Sequence, residues 1–398
     1  MPFIIAFIVI AIAVSLAGVF MNGDPNVPEA EEQAQEETIS QGNTSSQGGN
    51  SQGSQISSDG QQAQTSIDPN FPINTYIKYG SAAKDVFDDT TEVTFEFDAV
   101  VSDSVDLSDL YFETKAEGVD TDWKKTSQKY RKVTFPSGSH QYAFWVRGRT
   151  DELTEPSPAY HTITINVSPY YNKIKISNLK APDNQANPSL ITLSTNIPSG
   201  ETINISGWTL EGEKGTVAIP KGAERYDPND SSSWNQNILL RRGDMAYISS
   251  MSSPFAFSQL SFRPNKCMGY YADSNNFEIS VSKSCPRPTA DSLPSYISAK
   301  CKNFILDEIG TCEFPDTDKM NEYDLYDEDA CIAYLTANFN YSGCLAKYGS
   351  DSNFTQNLWH IYTDRYEREI MDRFGDTVYL KDSSGLVAAK YCFEDYCN

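Results

Sequence analysis

The chain has 398 residues and a formal net charge of −23, with 31 Lys and Arg against 54 Asp and Glu. This length corresponds to roughly two to three domains, and the negative charge disfavours nucleic acid as a partner because phosphate backbones are also negative. Aromatic residues make up 12% of the chain, which indicates folded, strand-rich domains. The three His residues lie far apart in the sequence. We therefore predict no cofactor and no metal site.

The amino terminus is apolar. Residues 1–23 contain no charged side chain, and residues 3–20 are almost wholly apolar, enough for a helix of about 27 Å that nearly crosses a bilayer. Two interpretations stay open: an uncleaved single-pass membrane anchor, or a signal peptide cleaved near Ser15-Leu16-Ala17. Both predict an extracytoplasmic protein, either anchored at the cell surface or secreted. Residues 24–70 are acidic and rich in Gln, Ser and Gly, which predicts a disordered linker.

Residues 71–168 predict a β-sandwich. Apolar side chains alternate with polar ones from Val93 to Ala99, and further short strands follow between Gly, Pro, Asp and Ser turns. Phe144 and Val146 are expected to face the core, Arg147 to point outward, and Trp123 to lie in the core. A set of turn and core residues resembles the fibronectin type III-like module of the Y_Y_Y type: Gly118, Asp120, Trp123, Pro136, Gly138, Tyr142, Phe144, Val146, Arg147, Pro158 and Ala159.

Residues 169–398 predict a second sandwich, since strand-like alternation resumes at Ile174 and Ile176. A second set of residues is similar to the lamin tail domain: Ile205, Ser206, Gly207, Trp208, Leu210, Ile219, Pro220, Leu240, Gly243, Tyr247 and Ile248. This resemblance implies an immunoglobulin-like sandwich whose last hairpin turns at residues 382–385, with an insertion at about residues 268–356. The combination of anchor, linker and two sandwiches resembles uncharacterised bacterial cell-surface proteins.

The cysteines are confined to the carboxy-terminal part of the chain: Cys267, Cys285, Cys301, Cys312, Cys331, Cys344, Cys392 and Cys397. Their even number in an exported chain predicts four disulfides, and their spacing contains no Cys-x-x-Cys motif. Only the pairing of Cys392 with Cys397 is suggested, by proximity. Helical spacing of apolar residues predicts two short helices, one over residues 297–309 and one beginning near Cys331.

The chain contains no Gly-x-Ser-x-Gly, Walker, dinucleotide-binding or His-Glu-x-x-His motif, so we predict no catalytic residue. The tripeptide Arg242-Gly243-Asp244 matches an integrin-recognition sequence, but the lamin tail resemblance places a structural turn at the same position. We interpret it as a turn.

Three functions remain in order of preference. The first is a non-enzymatic, membrane-tethered cell-surface protein that displays β-sandwich domains for adhesion or envelope organisation, with an unknown envelope protein or glycan as partner. The second is a carbohydrate- or cell-wall-binding module, whose candidate stacking aromatics are Trp234, Tyr270 and Tyr271. The third is a secreted hydrolase with an acidic site that no motif reveals.

Overall fold

The computed structural model has a mainly β fold, as predicted, and describes the following residues: 70–78, 84–183, 187–255, 259–272, 274–275 and 277–394. The predicted membrane segment at residues 1–23 and nearly all of the predicted linker at residues 24–70 lie outside them. Among the helices in the described part of the chain, none has the length and apolar character needed to cross a membrane.

In its described residues, the first sandwich has eight strands: β1 (Ile73–Lys78), β2 (Val86–Phe87), β3 (Glu92–Val101), β4 (Tyr111–Ala116), β5 (Lys124–Thr126), β6 (Tyr130–Thr134), β7 (Gly138–Arg149) and β8 (Ala159–Val167). One sheet has the antiparallel order β1-β3-β6, and the facing sheet has the order β5-β4-β7-β8. The short β2 pairs in parallel with β8. This arrangement is a fibronectin-like sandwich of two antiparallel sheets.

Aromatic rings fill the space between these two sheets. Phe95 of β3 stacks on Phe144 of β7 with ring centroids 4.0 Å apart, and Phe97 meets Phe112 edge-to-face at 5.1 Å. The alternating pattern explains this packing, because every second side chain of a strand points to the same face. Phe144 and Val146 are fully buried, so their predicted orientation is confirmed.

The second sandwich contains the remaining strands: β9 (Ile174–Lys180), β10 (Leu190–Thr195), β11 (Thr202–Asn204), β12 (Thr209–Gly212), β13 (Gly215–Ala218), β14 (Gly222–Ala223), β15 (Leu239–Arg241), β16 (Met245–Ser249), β17 (Ser261–Phe262), β18 (Leu358–Tyr362), β19 (Gly375–Lys381) and β20 (Val387–Glu394). One sheet has the order β14-β17-β18-β16-β10-β9, and strands β13-β12-β19-β20 form the other side. Strands β11 and β15 pair with each other.

Most of the apolar residues that carry the lamin tail resemblance form part of the core of this sandwich, whereas Tyr247 packs against the cluster under the insertion. Trp208 is 2% exposed and Leu210 is 1% exposed, within a cluster that also includes strands β16 and β18. The predicted last hairpin is confirmed, since β19 and β20 pair across a turn at residues 382–385. Asp382 closes this turn by accepting hydrogen bonds from the backbone N–H groups of Ser384 at 2.8 Å and Leu386 at 3.1 Å.

The two sandwiches share a continuous sheet, a feature that the sequence patterns do not predict. Strand β20 of the second sandwich lies beside β8 of the first, and the Ser168 N–H donates to the Val387 carbonyl at 2.9 Å. Lys390 forms an ion pair with Asp89 at 2.8 Å across the same boundary. The Tyr171 hydroxyl donates to the Asp89 carbonyl at 3.2 Å. These contacts join the sandwiches side by side through backbone, charged and aromatic groups.

Between β17 and β18 the chain forms a helical insertion with four α-helices in its described part: α1 (Ala299–Asp307), α2 (Thr317–Glu322), α3 (Asp329–Asn338) and α4 (Tyr341–Tyr348). The two predicted helices correspond to α1 and α3. Helices α2 and α4 are missing from the prediction because they are only 6 and 8 residues long, too short for a clear helical period. Side-chain caps begin them at Asp316 and Asn340.

Three disulfides bridge the insertion: Cys267–Cys344, Cys285–Cys312 and Cys301–Cys331. The last of these links α1 to α3, and the first links the segment after β17 to α4. Cys392 is disulfide-bonded as well. Its predicted partner, Cys397, lies outside the described residues.

Candidate functional site

The outer face of the β5-β4-β7-β8 sheet carries a group of aromatic and cationic side chains. In β4, Phe112, Thr114 and Ala116 are buried, so the alternate residues Tyr111 and Lys115 point to the outer face. The centre of this face is formed by Glu113, which lies between these two residues on the same strand.

The neighbouring strand β7 extends this face in the same way. Its outward residues are Trp145, Arg147 and Arg149, which alternate with the buried Phe144, Val146 and Gly148. Arg147 lies opposite Glu113 on β4. Trp145 lies opposite Tyr160 on β8, whose side chain is 38% exposed. Strand pairing therefore brings together residues that lie up to fifty positions apart in the sequence.

Ion pairs and ring contacts hold the arginines in place. Arg147 donates to one carboxylate oxygen of Glu113 through Nε at 2.9 Å and through a terminal nitrogen at 2.6 Å. Arg149 donates to the other oxygen at 2.8 Å. The guanidinium of Arg147 also lies over the Trp123 ring, 4.2 Å from its centroid. The sequence predicts Trp123 in the core, but the structure shows it partly exposed. Its ring packs against the Arg147 guanidinium on the outer face in a cation–π contact.

Lysine residues complete the face. The Lys125 ammonium lies 3.6 Å from the centre of the Tyr111 ring. Strand register also places Lys115 opposite Trp145. We call this surface the cationic–aromatic face, and its residues are Tyr111, Glu113, Lys115, Trp123, Lys125, Trp145, Arg147, Arg149 and Tyr160. It offers rings for stacking and cationic donors for an anionic ligand.

The aromatic candidates predicted from the sequence lie elsewhere. Trp234, Tyr270 and Tyr271 are partly buried and pack against a hydrophobic cluster under the helical insertion. The indole N–H of Trp234 donates to the Asp227 carbonyl at 2.7 Å, and the Tyr271 ring lies 4.7 Å from that of Tyr341. Burial raises the pKa of both Tyr270 and Tyr271 to about 12. The structure thus brings the three aromatics to one cluster, in which they serve packing.

Buried carboxylates are the candidates for an acidic catalytic site. The Asp120 carboxylate is fully buried and forms ion pairs with Lys124 and Arg131. The acids that are buried as whole residues in the described part of the chain are Glu155, Asp244, Asp376 and Asp382. Each accepts a backbone N–H hydrogen bond at 2.8 to 2.9 Å, given in the same order by Thr75, Arg241, Glu213 and Ser384. A carboxylate that accepts such bonds is satisfied without leaving its turn or strand end. These contacts assign the four acids a structural role.

A cleft at one end of the second sandwich combines a carboxylate with serines. Glu369 accepts hydrogen bonds from the Ser189 hydroxyl at 2.7 Å and the Ser189 N–H at 3.1 Å, and also from the Ser250 hydroxyl. Ile191 and Ile370 contribute apolar surface to the cleft. Both serine hydroxyls donate to the Glu369 carboxylate. We therefore assign these hydrogen bonds a structural role, in which they hold the neighbouring strand ends together.

The Arg242-Gly243-Asp244 tripeptide forms a turn, as interpreted from the sequence. The Asp244 N–H donates to the Arg241 carbonyl at 3.0 Å, and Gly243 has the positive φ of 82° that such turns require. Asp244 is only 2% exposed and forms an ion pair with Arg263 at 2.5 Å. Its carboxylate is therefore not presented to a partner.

No grouping of three or more His, Cys, Asp or Glu side chains suited to a metal ion occurs in the described ranges. Six of the predicted disulfide cysteines pair with one another in the insertion. Sequence reasoning missed the cationic–aromatic face. Its signal was present in the alternation of Trp145, Arg147 and Arg149, but only strand register shows that Tyr111 and Tyr160 join them.

No family model and no curated protein matches the chain. Among solved structures, the chain is similar to the crystal structure of the FN1-FN3 domains of chicken CNTN1, with a TM-score of 0.16 and 9% sequence identity. The match covers 39% of this chain and 50% of that one. The chain thus spans about half the length of this fibronectin-domain structure.

Proposed function

We propose that this chain is a non-enzymatic, extracytoplasmic β-sandwich protein that binds a cell-surface or envelope ligand through the cationic–aromatic face. The observation that carries the proposal is the grouping of four cationic side chains and four aromatic rings on one face of the first sandwich. A flat sheet face of this kind is suited to binding an extended partner.

An oxidising location is supported by the three disulfides of the helical insertion. Tethering to a membrane rests on the apolar residues 1–23, which lie outside the described residues. The lamin tail assignment of the second sandwich rests on the residues of its core. In this proposal the linker at residues 24–70 holds the first sandwich, and the second sandwich that follows it, at a distance from the membrane.

The absence of catalysis is part of the proposal and is supported by the roles of the buried acids. Asp244 pairs with Arg263, and Glu369 holds two serine hydroxyls, so these acids have structural partners. Hydrolysis would require a carboxylate placed to transfer a proton to a substrate. Turnover of a polysaccharide or peptide by the purified chain would overturn this part of the proposal.

The experiment that tests the face is co-sedimentation of the full chain, made under oxidising conditions, with envelope fragments from the cells that produce it. Lys115→Glu combined with Lys125→Glu should lower the bound fraction at least tenfold, because it replaces two cations of the face by anions. The matched control is Lys129→Glu with Lys132→Glu. Lys132 lies on β6 of the other sheet and Lys129 directly precedes this strand, and their side chains are 59% and 62% exposed.

Both double variants change the net charge of the chain by the same amount, so a general charge effect would weaken them equally. Equal losses would overturn the proposed role of the face. Thermal unfolding of each variant checks that the first sandwich remains folded. If the control variant retains binding and the Lys115→Glu/Lys125→Glu variant does not, the result supports the cationic–aromatic face as the binding surface.

A further inference from the structure

We infer that the ligand of the cationic–aromatic face is an acidic polysaccharide, a sugar polymer that carries carboxylate groups. This inference rests on the proposed function, because it names the ligand class of the same face. The proposed ligand is a sugar polymer, and binding of an acidic polypeptide in its place would contradict the inference.

The charge of the face is opposite to that of the whole molecule. The chain has a formal net charge of −23, yet four cations, Lys115, Lys125, Arg147 and Arg149, share this face with the carboxylate of Glu113, and Glu117 follows Lys115 at its edge. Glu113 is already occupied by both arginines. A surface that retains positive charge within an acidic protein attracts an anionic ligand.

The donors of the face are positioned rigidly. Glu113 accepts from Arg147 and Arg149 on opposite oxygens, and the Trp123 ring supports the Arg147 guanidinium from one side. A fixed guanidinium loses little conformational entropy on binding, which favours a planar carboxylate as its ligand.

The rings distinguish a sugar from other anions. Trp145 on β7 lies opposite Tyr160 on β8, whereas Tyr111 on β4 lies opposite Arg149, four residues further along β7. The rings therefore follow a diagonal across the sheet. Strands lie about 4.8 Å apart and rise about 3.3 Å per residue, so the backbone positions of Tyr111 and Tyr160 are about 16 Å from one another. Trp and Tyr rings pack against the apolar C–H face of a pyranose, while the cations between them contact its carboxylates. A neutral sugar would lack the second contact.

The test measures binding of the full chain to three immobilised polymers: polygalacturonate, neutral dextran and poly-L-glutamate. We expect binding to polygalacturonate that weakens as salt is raised, and at least tenfold weaker binding to dextran and to poly-L-glutamate. Equal binding to poly-L-glutamate would show that charge alone is recognised, which would overturn the inference of a sugar ligand.

Two single substitutions separate the contributions of charge and ring. Lys125→Glu should weaken polygalacturonate binding about tenfold and reduce its dependence on salt, whereas Tyr160→Ala should weaken it without changing that dependence. The matched controls on strand β6 are Lys132→Glu and Tyr130→Ala, whose side chains are also exposed. A loss of the same size in these controls would overturn the assignment to the face.

The inference and the proposed function fail in different ways. If polygalacturonate does not bind but envelope binding still depends on Lys115 and Lys125, the acidic polysaccharide is wrong and the face remains the binding surface. If neither binding depends on these lysines, both are wrong. Binding of polygalacturonate that depends on Lys125 and Tyr160 but not on the β6 controls supports both.

Discussion

The first sandwich and the helical insertion are stabilised in different ways. In the first sandwich, stacked and edge-on rings such as Phe95 and Phe144 fill the space between two sheets, and the segment contains no cysteine. In the insertion, short helices enclose a smaller cluster to which Cys301 and Cys331 themselves belong. The difference shows that cross-links replace apolar burial where short helices cannot supply enough of it.

The largest effect is expected from removing the disulfide that ties the insertion to the second sandwich. Cys267 and Cys344 are 77 residues apart in sequence, for which loop-closure entropy predicts a loss of roughly 4 to 5 kcal/mol. Cys267→Ser with Cys344→Ser should therefore expose residues 268–356 to protease while residues 84–168 remain intact. Limited proteolysis followed by mass spectrometry measures which segment is cleaved first. Cleavage of the first sandwich before the insertion would contradict the conclusion that the disulfides stabilise the insertion in particular.

A somewhat smaller effect is expected from opening a cavity in the first sandwich. Phe144 is fully buried and stacks on Phe95, so Phe144→Ala should lower the free energy of unfolding of this sandwich by about 4 kcal/mol. Urea unfolding measures the change. As a control, Phe374→Ala should change it by less than about 0.5 kcal/mol, because the Phe374 side chain is 69% exposed.

Disulfide mapping of the Phe144→Ala variant tests whether the insertion folds independently of the first sandwich. The three insertion disulfides should form normally in Phe144→Ala, since the two regions have separate clusters of buried residues. Scrambled disulfides in this variant would mean that the first sandwich is needed for the insertion to fold, and the two regions would not be stabilised independently.

The smallest of the three effects concerns pH and the strand that follows the insertion. His360 on β18 is fully buried beside Phe262, and neither ring nitrogen has a hydrogen-bond partner among the described residues. Burial lowers the pKa of His360 to about 3. The unfolded chain binds a proton near pH 6.5, so the stability that neutral His360 contributes is present above that pH and is lost as the pH falls toward 3.

At pH 5 this proton should cost about 2 kcal/mol of the free energy of unfolding relative to neutral pH. The variant His360→Leu should remove this part of the pH dependence, as measured by urea unfolding at pH 5 and pH 7.5. His140→Leu in the first sandwich is the control, because His140 is exposed. An unchanged pH dependence in His360→Leu would show that other groups cause the acid sensitivity.

Much of the fold could be predicted because strands expose a simple pattern. Alternation at Phe95, Phe97, Phe144 and Val146 identified the buried side of both sheets of the first sandwich. The turn at Asp382 was readable from its Asp, Ser and Gly residues. Helices α2 and α4 were not, since they span too few residues for a period to appear. The pairing of Cys267 with Cys344 was hidden as well, because sequence spacing does not specify which distant cysteines meet.

The sequence by itself determined the β-sandwich class, the inward side of the strands that contain Phe95 and Phe144, the cross-linked nature of the insertion and the turn at Gly243, since each follows from local residue types. Only the tertiary structure decided that β20 continues the sheet of β8, and that Tyr111, Trp145 and Tyr160 form one face with Arg147 and Arg149. The physical reason is strand register: alternation specifies which side of a strand faces outward, whereas pairing between distant strands determines which outward residues become neighbours.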